Sequence, residues 1–446
     1  MKTFEDLRKQ YKTFIYDKYT IEYEDEKIKI TYYFEIPNLT LFKPVIKIDK
    51  KDIKKLDEVS NYLIFLTGMI ELISYYKAVC PEKIIVRAGV LNDCEIKFFK
   101  KLYYNGLSEF LYLNNINISE EKFLSIECEK KGNIPKINYK GIGNLIPVGG
   151  GKDSCVTLEL LKNEDNTPFT INCKKPMEEC IKKANKDYKI INVERILDKK
   201  IIQLNNEGFL NGHTPFSALI AFLSLLLAYE NNKEYIVLSC ENSANESTVK
   251  NTKINHQYSK TLEFENDFNN LVKNTLNLDI TYFSILRPLN EITISLLFSS
   301  YKKYHSVFRS CNKGSKEKEW IFCSNCPKCL FTYIILSPFL TKEELLDIFK
   351  EDLFAKESLL DTFKSLLGSS NVKPFECVGT VREVRTSVSM TISKYKGNLP
   401  ILLKYYKDNY DIEIDKNILK EYHENNLNKE FENILKSEVL KCLKSF

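Results

Sequence analysis

Residues 147–154 of the chain are Pro147-Val148-Gly149-Gly150-Gly151-Lys152-Asp153-Ser154. They join a short apolar run, residues 144–148, to a segment with helical apolar spacing, residues 154–162. Three consecutive glycines leave the turn without side chains, so a phosphate can approach the backbone closely. The free N–H groups that begin the next helix form an anion site. The sequence therefore predicts a nucleotide phosphate loop between a strand and a helix, which we call the glycine loop (residues 149–154).

The type of the glycine loop follows from the residues around its last glycine. A P-loop of the kinase or GTPase type has Gly, four residues, Gly-Lys and then directly Ser or Thr. Here Asp153 separates Lys152 from Ser154, and the residue five positions before the last glycine is Ile146. The order Gly-Gly-x-Asp-Ser instead resembles the loop of the N-type ATP pyrophosphatase (PP-loop) superfamily, with Gly149 in place of its usual first Ser. A glycine-rich turn with no nucleotide role is the alternative interpretation.

Composition narrows the class of protein and its compartment. A chain of 446 residues is expected to form two or three domains. Its net charge of +5 is dispersed rather than gathered in a stripe, so no nucleic-acid partner is predicted. The longest apolar stretch, residues 216–229, is shorter than a bilayer requires, and we expect a buried helix there and no membrane partner. Thirteen cysteines without a signal peptide indicate the reducing cytoplasm. The oligomeric state is left open.

The order of patterns along the chain predicts the fold class. Residues 19–36 and 40–48 alternate in strand fashion, and residues 56–78 have helical spacing. From the glycine loop onward, predicted strands at 169–171, 190–193, 235–239 and 281–284 alternate with predicted helices. This alternation predicts an α/β fold with a doubly wound, mainly parallel sheet of the PP-loop type. We predict a β-rich N-terminal domain at 1–140, the ATP-binding catalytic domain at 141–340 and a mostly helical region at 341–446.

Four cysteines form a second set of functional residues: Cys311, Cys323, Cys326 and Cys329. The segment CSNCPKC brings three thiols together through two overlapping Cys-x-x-Cys steps. Cys311 lies before this segment and is separated from it by a lysine-rich loop. Four thiolates match a closed, tetrahedral structural zinc site. An iron–sulfur cluster uses the same ligands, and reduced thiols without a metal are the third interpretation. A similar arrangement in cyano-deazaguanine synthase, a PP-loop enzyme with a shorter first spacing, supports zinc.

Polar blocks form the third signal. They are GHTP (212–215), SCENSANE (239–246), NHQYSK (255–260) and LRPL (286–289). Each block alone is compatible with a capped helix start or a solvated turn. Their shared location after predicted strands favours one cleft, because ligands of such sheets bind at the carboxyl ends of the strands.

The blocks GGGKDS, GHTPFS, SCENSANE, NHQYSK, SILRPL, CSNCPKC and PFECVG (374–379) occur in an order that resembles the UDP-N-acetylmuramoyl-L-alanyl-L-glutamate epimerase family. The resemblance covers roughly residues 145–380. It implies a cytoplasmic enzyme of peptidoglycan precursor synthesis, and hence of cell wall biogenesis, that acts on a UDP-linked muramoyl dipeptide. It also implies ATP and Mg²⁺ as cofactors, with an acyl-adenylate intermediate and release of AMP and pyrophosphate. The ATP would bind at Gly149, Gly150, Gly151, Lys152, Asp153 and Ser154.

Inversion at a carbon needs proton removal on one face and delivery on the other. The candidates within the blocks are Cys240, Glu241, His256, Lys260 and Cys377. His256 is the first choice for the base, because imidazole titrates near neutral pH. A hydrogen bond from His256 to the phosphates or a neighbouring loop is the alternative. The rival functions are an amide- or nitrile-forming ligase, a tRNA-modifying thiolase and a non-catalytic nucleotide-binding scaffold.

Overall fold

The computed structural model of the protein describes residues 2–317 and 319–446. Its strands are β1 Thr13–Glu24, β2 Lys27–Ile36, β3 Thr40–Phe42, β4 Val45–Asp49, β5 Lys83–Val86, β6 Ser125–Cys128, β7 Tyr139–Lys140, β8 Asn144–Pro147, β9 Asn166–Ile171, β10 Ile191–Ile196, β11 Tyr235–Leu238, β12 Leu278–Asp279 and β13 Thr281–Ser284. Apart from the short β7–β12 pair, these strands form one sheet, which orders them β13-β11-β8-β9-β10-β4-β2-β1-β5-β6 and pairs β3 with β2.

The α-helices extend along the chain well beyond the last strand, β13. They are α1 Phe4–Gln10, α2 Glu58–Glu71, α3 Ile73–Tyr76, α4 Asp93–Gly106, α5 Ser108–Leu113, α6 Glu120–Phe123, α7 Lys152–Leu160, α8 Lys175–Ala184, α9 Lys200–Asn206, α10 Phe216–Glu230, α11 Leu262–Leu276, α12 Glu291–Ser300, α13 Pro327–Leu336, α14 Lys342–Phe349, α15 Leu360–Leu366, α16 Val381–Lys394, α17 Ile401–Asn409 and α18 Lys429–Ser445. In residues 2–317 and 319–446, no helix combines the length and the apolarity needed to cross a membrane.

The predicted α/β class with a mainly parallel sheet is confirmed. Strands β13, β11, β8, β9 and β10 pair in parallel, as do β1, β5 and β6. Antiparallel pairing of β10 with β4 joins the two parallel groups through the β1–β2 hairpin. The pattern at 19–36 is therefore two strands rather than one, with Asp25 at φ 30° in the turn between them.

Helices cover both faces of the sheet. Neighbouring residues of its central strands point to opposite faces, so each face has its own core. Leu145 and Ile236 belong to a core that includes α2, α4, α10 and α11. The adjacent residues Ile146 and Val237 belong to a second core that includes α7, α12, α13 and α16. Helix α10 is buried along almost its whole length, as its apolar sequence predicts. The PP-loop assignment and the domain boundaries at 140 and 340 stay predictions, and strands from both sides of residue 140 share one sheet.

The strand order places a crevice beside the glycine loop. From β8 the chain proceeds outward to β9 and β10, and then returns to β11 and β13 on the other side of β8. Such a reversal separates the connections that follow the two central strands, β8 and β11, and opens a crevice at their carboxyl ends. The glycine loop follows β8, and the block at 239–246 follows β11.

Candidate active site

A cavity of about 600 Å³ occupies this crevice. Residues predicted as functional that line it are Gly149, Gly151, Asp153, Ser154, Cys240, Glu241, Lys260, Cys311 and Cys377. The structure thus brings the glycine loop together with four of the five acid/base candidates. Gly150, Lys152 and His256 are not part of the lining.

The glycine loop is held by the segment that precedes the cysteine cluster. The Arg309 backbone N–H donates to the carbonyl of Gly150 at 2.8 Å, and the Lys152 N–H donates to the Ser310 hydroxyl at 3.2 Å. Helix α7 has no side-chain cap, and the Ser154 hydroxyl donates to the Gly151 carbonyl at 3.0 Å. The start of α7 therefore retains backbone donors for an anion.

Two adjacent glycines of the loop make opposite predictions for alanine substitution. Gly150 has φ +76°, and a Cβ there would lie 3.2 Å from Met177, whereas a Cβ at Gly149 meets nothing within 4 Å. We expect Gly150→Ala to lower the free energy of unfolding by about 1–2 kcal/mol. The matched control Gly149→Ala should stay within about 0.5 kcal/mol of the wild type. Chemical denaturation of both variants checks this, and equal losses would contradict the conformational argument.

Lys152 lies beneath the loop rather than in the cavity. Its side chain is 1% exposed and its ammonium group pairs with the carboxylates of Asp153 and Glu291. Burial alone would lower the pKa of Lys152, but the two carboxylates raise it above its usual range. Lys152 therefore carries a positive charge that offsets neighbouring acids. A direct role in ATP binding stays a prediction.

Three carboxylates meet at this point: Asp153, Glu241 and Glu291 each offer an oxygen within 4.8 Å of the others. Glu291 is fully buried, and its Oε1 has no hydrogen-bond partner among the described residues. Burial, followed by the charges of Asp153 and Glu241, raises the pKa of Glu291 to about 8 against the opposing effect of Lys152. An unpartnered buried oxygen beside two further carboxylates is a set that fits a hard divalent cation such as Mg²⁺.

Sequence reasoning missed Glu291. A signal was available, because this acid begins α12 two residues after the LRPL block. The buried lysine that pairs with it comes from a different part of the chain, so the local pattern alone could not show the cluster.

Cys377 is the predicted acid/base residue that contacts two lysine side chains. Lys260 Nζ lies 3.0 Å from Cys377 Sγ, and Lys328 Nζ donates to the Cys377 carbonyl. Burial would raise the pKa of Cys377, but Lys260, His256 and Lys328 lower it to about 6. Cys377 is therefore a thiolate at neutral pH.

Cys240 is held at the end of β11 by the neighbouring strand. Its backbone N–H donates to the Ser284 hydroxyl at 2.7 Å, and that hydroxyl donates to the Cys240 carbonyl at 2.6 Å. Burial raises the pKa of Cys240 to about 11, with Lys260 and Arg287 opposing the shift. At neutral pH Cys240 is a protonated thiol.

His256 does not line the cavity but interacts with Cys377, which does. Its Nδ1 pairs with Glu109 of α5, and its ring lies 4.2 Å, centroid to centroid, from that of His213. Burial opposes a charge on His256, but Cys377 and Glu109 raise its pKa to about 9. Burial and the nearby His256 charge lower the pKa of His213 to about 3. Sequence reasoning missed Glu109 and assigned no role to His213, since no local pattern links either of them to His256.

The four predicted metal-ligand cysteines do come together, with all four sulfurs within 4.8 Å of one another. Cys311 Sγ lies 4.0 Å from Cys326 Sγ, and Cys323 Sγ lies 3.8 Å from Cys329 Sγ. A tetrahedron with Zn–S bonds of about 2.3 Å has sulfur–sulfur edges of roughly 3.8 Å. Backbone N–H groups of Gly314 and Cys323 donate to Cys311 Sγ at 3.1 and 3.4 Å. The donor set and spacing fit a structural zinc ion.

Comparison with known proteins gives two family matches that together cover most of the chain. The MurL N-terminal domain matches residues 5–285, and the MurL C-terminal domain matches residues 307–417. The chain belongs to the MurL family.

Three relatives of this chain share one name. A UDP-N-acetyl-alpha-D-muramoyl-L-alanyl-L-glutamate epimerase of Xanthomonas oryzae pv. oryzae (strain MAFF 311018) is 29% identical over 363 residues, which cover 80% of each chain. The protein of the same name from Micromonospora sp. (strain ATCC 39149 / NRRL 15099 / SCC 1413) is 32% identical over 331 residues, or 71% of this chain and 72% of the relative. The family resemblance found in the sequence is confirmed.

Proposed function

We propose that this MurL protein is an enzyme that inverts the terminal L-glutamate of UDP-N-acetylmuramoyl-L-alanyl-L-glutamate to D-glutamate. The reaction belongs to peptidoglycan precursor synthesis, and we propose that it takes place in the cytoplasm. In the proposed reaction ATP is consumed, Mg²⁺ is bound, and AMP and pyrophosphate are released. The names of the relatives support the substrate and the inversion.

One observation carries the adenylation chemistry: the glycine loop and the thiol groups line the same cavity. A phosphate site alone would suit a scaffold, and thiols alone would suit a cofactor-free isomerase. Their placement in one cavity suits a reaction in which ATP activates the group whose carbon is then deprotonated.

The chemical need for ATP follows from the acidity of the substrate. An α-proton beside a carboxylate is very weakly acidic, because deprotonation places two negative charges next to each other. In the proposed reaction a carboxylate oxygen attacks the α-phosphorus of ATP, and pyrophosphate leaves. The resulting acyl-adenylate has a neutral carbonyl that accepts the electron pair of the broken C–H bond as an enolate. After inversion, water cleaves the acyl-phosphate bond and releases AMP and the D-glutamyl product.

The residues of the chain divide the remaining tasks. Backbone N–H groups at the start of α7 receive phosphate oxygens, and Ser154 adds a hydroxyl. Asp153, Glu241 and Glu291 would hold Mg²⁺, which supplies charge neutralisation of the phosphates when bound. Lys152 pairs with Glu291 and opposes the rise in the pKa of Glu291 that burial causes. The four-cysteine site would hold zinc in a closed set of ligands with no open position for substrate.

Pyrophosphate release coupled to inversion tests the proposal. The protein is incubated with the UDP-linked L-Ala-L-Glu substrate, ATP and Mg²⁺, and pyrophosphate is measured together with D-glutamate after acid hydrolysis. We expect one D-glutamyl product per pyrophosphate at early times and neither product when EDTA removes Mg²⁺. Pyrophosphate release with ammonia incorporation and no inversion would identify a ligase instead. Inversion without ATP would contradict the adenylation step.

A further inference from the structure

We propose that Cys377 and Cys240 are the two catalytic acid/base groups of the inversion. Cys377 removes the α-proton of the L-glutamyl unit as a thiolate, and Cys240 delivers a proton to the opposite face of the carbon. The pair Glu109–His256 acts as a positioning unit behind Cys377. This assignment rests on the proposed function and goes beyond it by giving each thiol one direction of proton transfer.

The geometry selects the thiols over the other candidates. Both cysteines line the cavity that contains the glycine loop, whereas His256 does not. The Lys260 ammonium contacts Cys377 Sγ at 3.0 Å and also interacts with the charge of Glu241. Burial opposes the charge of Lys260, but these neighbours raise its pKa above the usual range, so it remains a cation rather than a base. Glu241 belongs to the carboxylate cluster that suits Mg²⁺.

The protonation states of the two thiols are opposite at neutral pH. Lys260 Nζ lies 3.0 Å from Cys377 Sγ, and its charge helps to lower the pKa of Cys377 to about 6. An ordinary cysteine thiol, with a pKa of about 8.5, is instead protonated at neutral pH. One thiolate and one thiol in the same cavity are the states that a base and an acid must have at the start of one turnover. His256 is unsuited to the role of base, because its pKa near 9 keeps it protonated.

The proton transfers balance. The Cα–H bond of the L-glutamyl adenylate breaks, its proton forms an S–H bond on Cys377, and its electron pair enters the enolate. The S–H bond of Cys240 then breaks as a new Cα–H bond forms on the other face. The turnover ends with Cys377 as thiol and Cys240 as thiolate, and proton exchange with water restores the starting states.

Deuterium exchange with single-thiol variants tests the assignment in D₂O. In Cys240→Ala, Cys377 still removes the α-proton but can only return a deuteron to the same face. We expect deuterium in recovered L-substrate, with D-product formation lowered by about 10³-fold or more. In Cys377→Ala and Cys377→Ser, we expect pyrophosphate release to continue while deuterium no longer enters the L-substrate. Cys94→Ala serves as the matched control, because Cys94 is an exposed cysteine outside the cavity.

The outcomes separate this assignment from the proposed function. Wild-type exchange in folded Cys377→Ala or Cys377→Ser protein would overturn the role of Cys377. Loss of pyrophosphate release in both Cys377 variants, with unchanged melting temperatures, would overturn it as well by placing the thiol in the ATP step. D-product formation by Cys240→Ala at the wild-type rate would overturn the role of Cys240. Absence of pyrophosphate release in the wild type would instead contradict the proposed function.

The pH dependence of exchange tests the positioning pair. The charged and titratable groups around Cys377 are Lys260, Lys328, His256, and, behind His256, Glu109 and His213. Because the pKa of Cys377 is lowered to about 6, exchange into L-substrate should be lost as the pH falls through that value. His256→Gln removes one cation, so the acidic limb should move upward by about one pH unit.

A merely structural role of His256 predicts a different result. Exchange would then fall at every pH, with the acidic limb in its original place. In the proposed role, His256→Gln recovers near-wild-type exchange at pH 8, where the thiolate forms without help. An unmoved limb in His256→Gln would overturn the positioning role.

Discussion

The Asp153→Ala variant is expected to lose ATP cleavage by about 10²- to 10³-fold while its melting temperature stays within about 2 °C of the wild type. Asp153 faces the cavity at the start of α7, and its carboxylate belongs to the cluster with Glu241 and Glu291. Removing it deletes one of the three carboxylates that we propose as ligands of Mg²⁺. The loss to the fold is small, because the buried pair Lys152–Glu291 remains and one repulsion with Glu291 disappears.

The measurement is pyrophosphate release with the UDP-linked substrate, together with thermal unfolding in the absence of nucleotide. Asp361→Ala is the matched control, because the side chain of Asp361 is 98% exposed in α15. Asp361→Ala should leave the rate of pyrophosphate release unchanged and the free energy of unfolding within about 0.5 kcal/mol of the wild type. Unaltered AMP production by Asp153→Ala would remove the glycine loop from the mechanism. A large fall in melting temperature would instead show that Asp153 supports the fold.

The parts of the fold that were predictable are those set by local pattern. Strand β8, the glycine loop and α7 follow from an apolar run, a glycine turn and helical spacing within residues 144–162. The long apolar helix α10 follows likewise. The pairing of β4 with β10 was not predictable, because Ile48 and Val193 are brought together by tertiary packing and neither strand's own pattern names its partner.

The candidate site shows the same division. Cys240 and Glu241 were predictable because they directly follow strand β11, whose carboxyl end lies at the crevice. Lys260 and Cys377 were named only as members of the sequence blocks NHQYSK and PFECVG. Glu109 was missed because it lies 147 residues from His256 and belongs to a helix of the N-terminal part. The preference for His256 as base rested on the pKa of free imidazole. Contact with Cys377 and Glu109 changes that pKa, and only the three-dimensional arrangement carries this information.

The structure also connects the cysteine cluster with the glycine loop. Cys311 directly follows Ser310, whose hydroxyl accepts the Lys152 N–H, and Arg309 donates to the Gly150 carbonyl. Cys311 also lines the cavity, and its carbonyl accepts the indole N–H of Trp320 at 3.1 Å. A metal ion that fixes Cys311 would therefore also fix the backbone that braces the phosphate site.

We accordingly expect Cys326→Ser to lose three properties together: bound zinc, stability and ATP cleavage. Loss of one thiolate from a closed four-thiolate site should lower the free energy of unfolding by about 4 kcal/mol or more. Because the segment 309–311 would no longer be held, the glycine loop loses its brace, and ATP cleavage should fall by about 10²-fold even at temperatures where the variant is folded. Elemental analysis, thermal unfolding and pyrophosphate release measure the three effects.

Cys94→Ser is the matched control for this variant, since it removes an exposed thiol that lies outside the cluster. It should keep its zinc, its melting temperature and its activity. Purified wild-type protein without zinc or iron would contradict the metal site itself. A Cys326→Ser protein that loses its metal but cleaves ATP at the wild-type rate would contradict the coupling, because the glycine loop would then keep its geometry without the cluster. Loss of all three properties in the variant, with none lost in the control, is the result that a metal-braced phosphate loop requires.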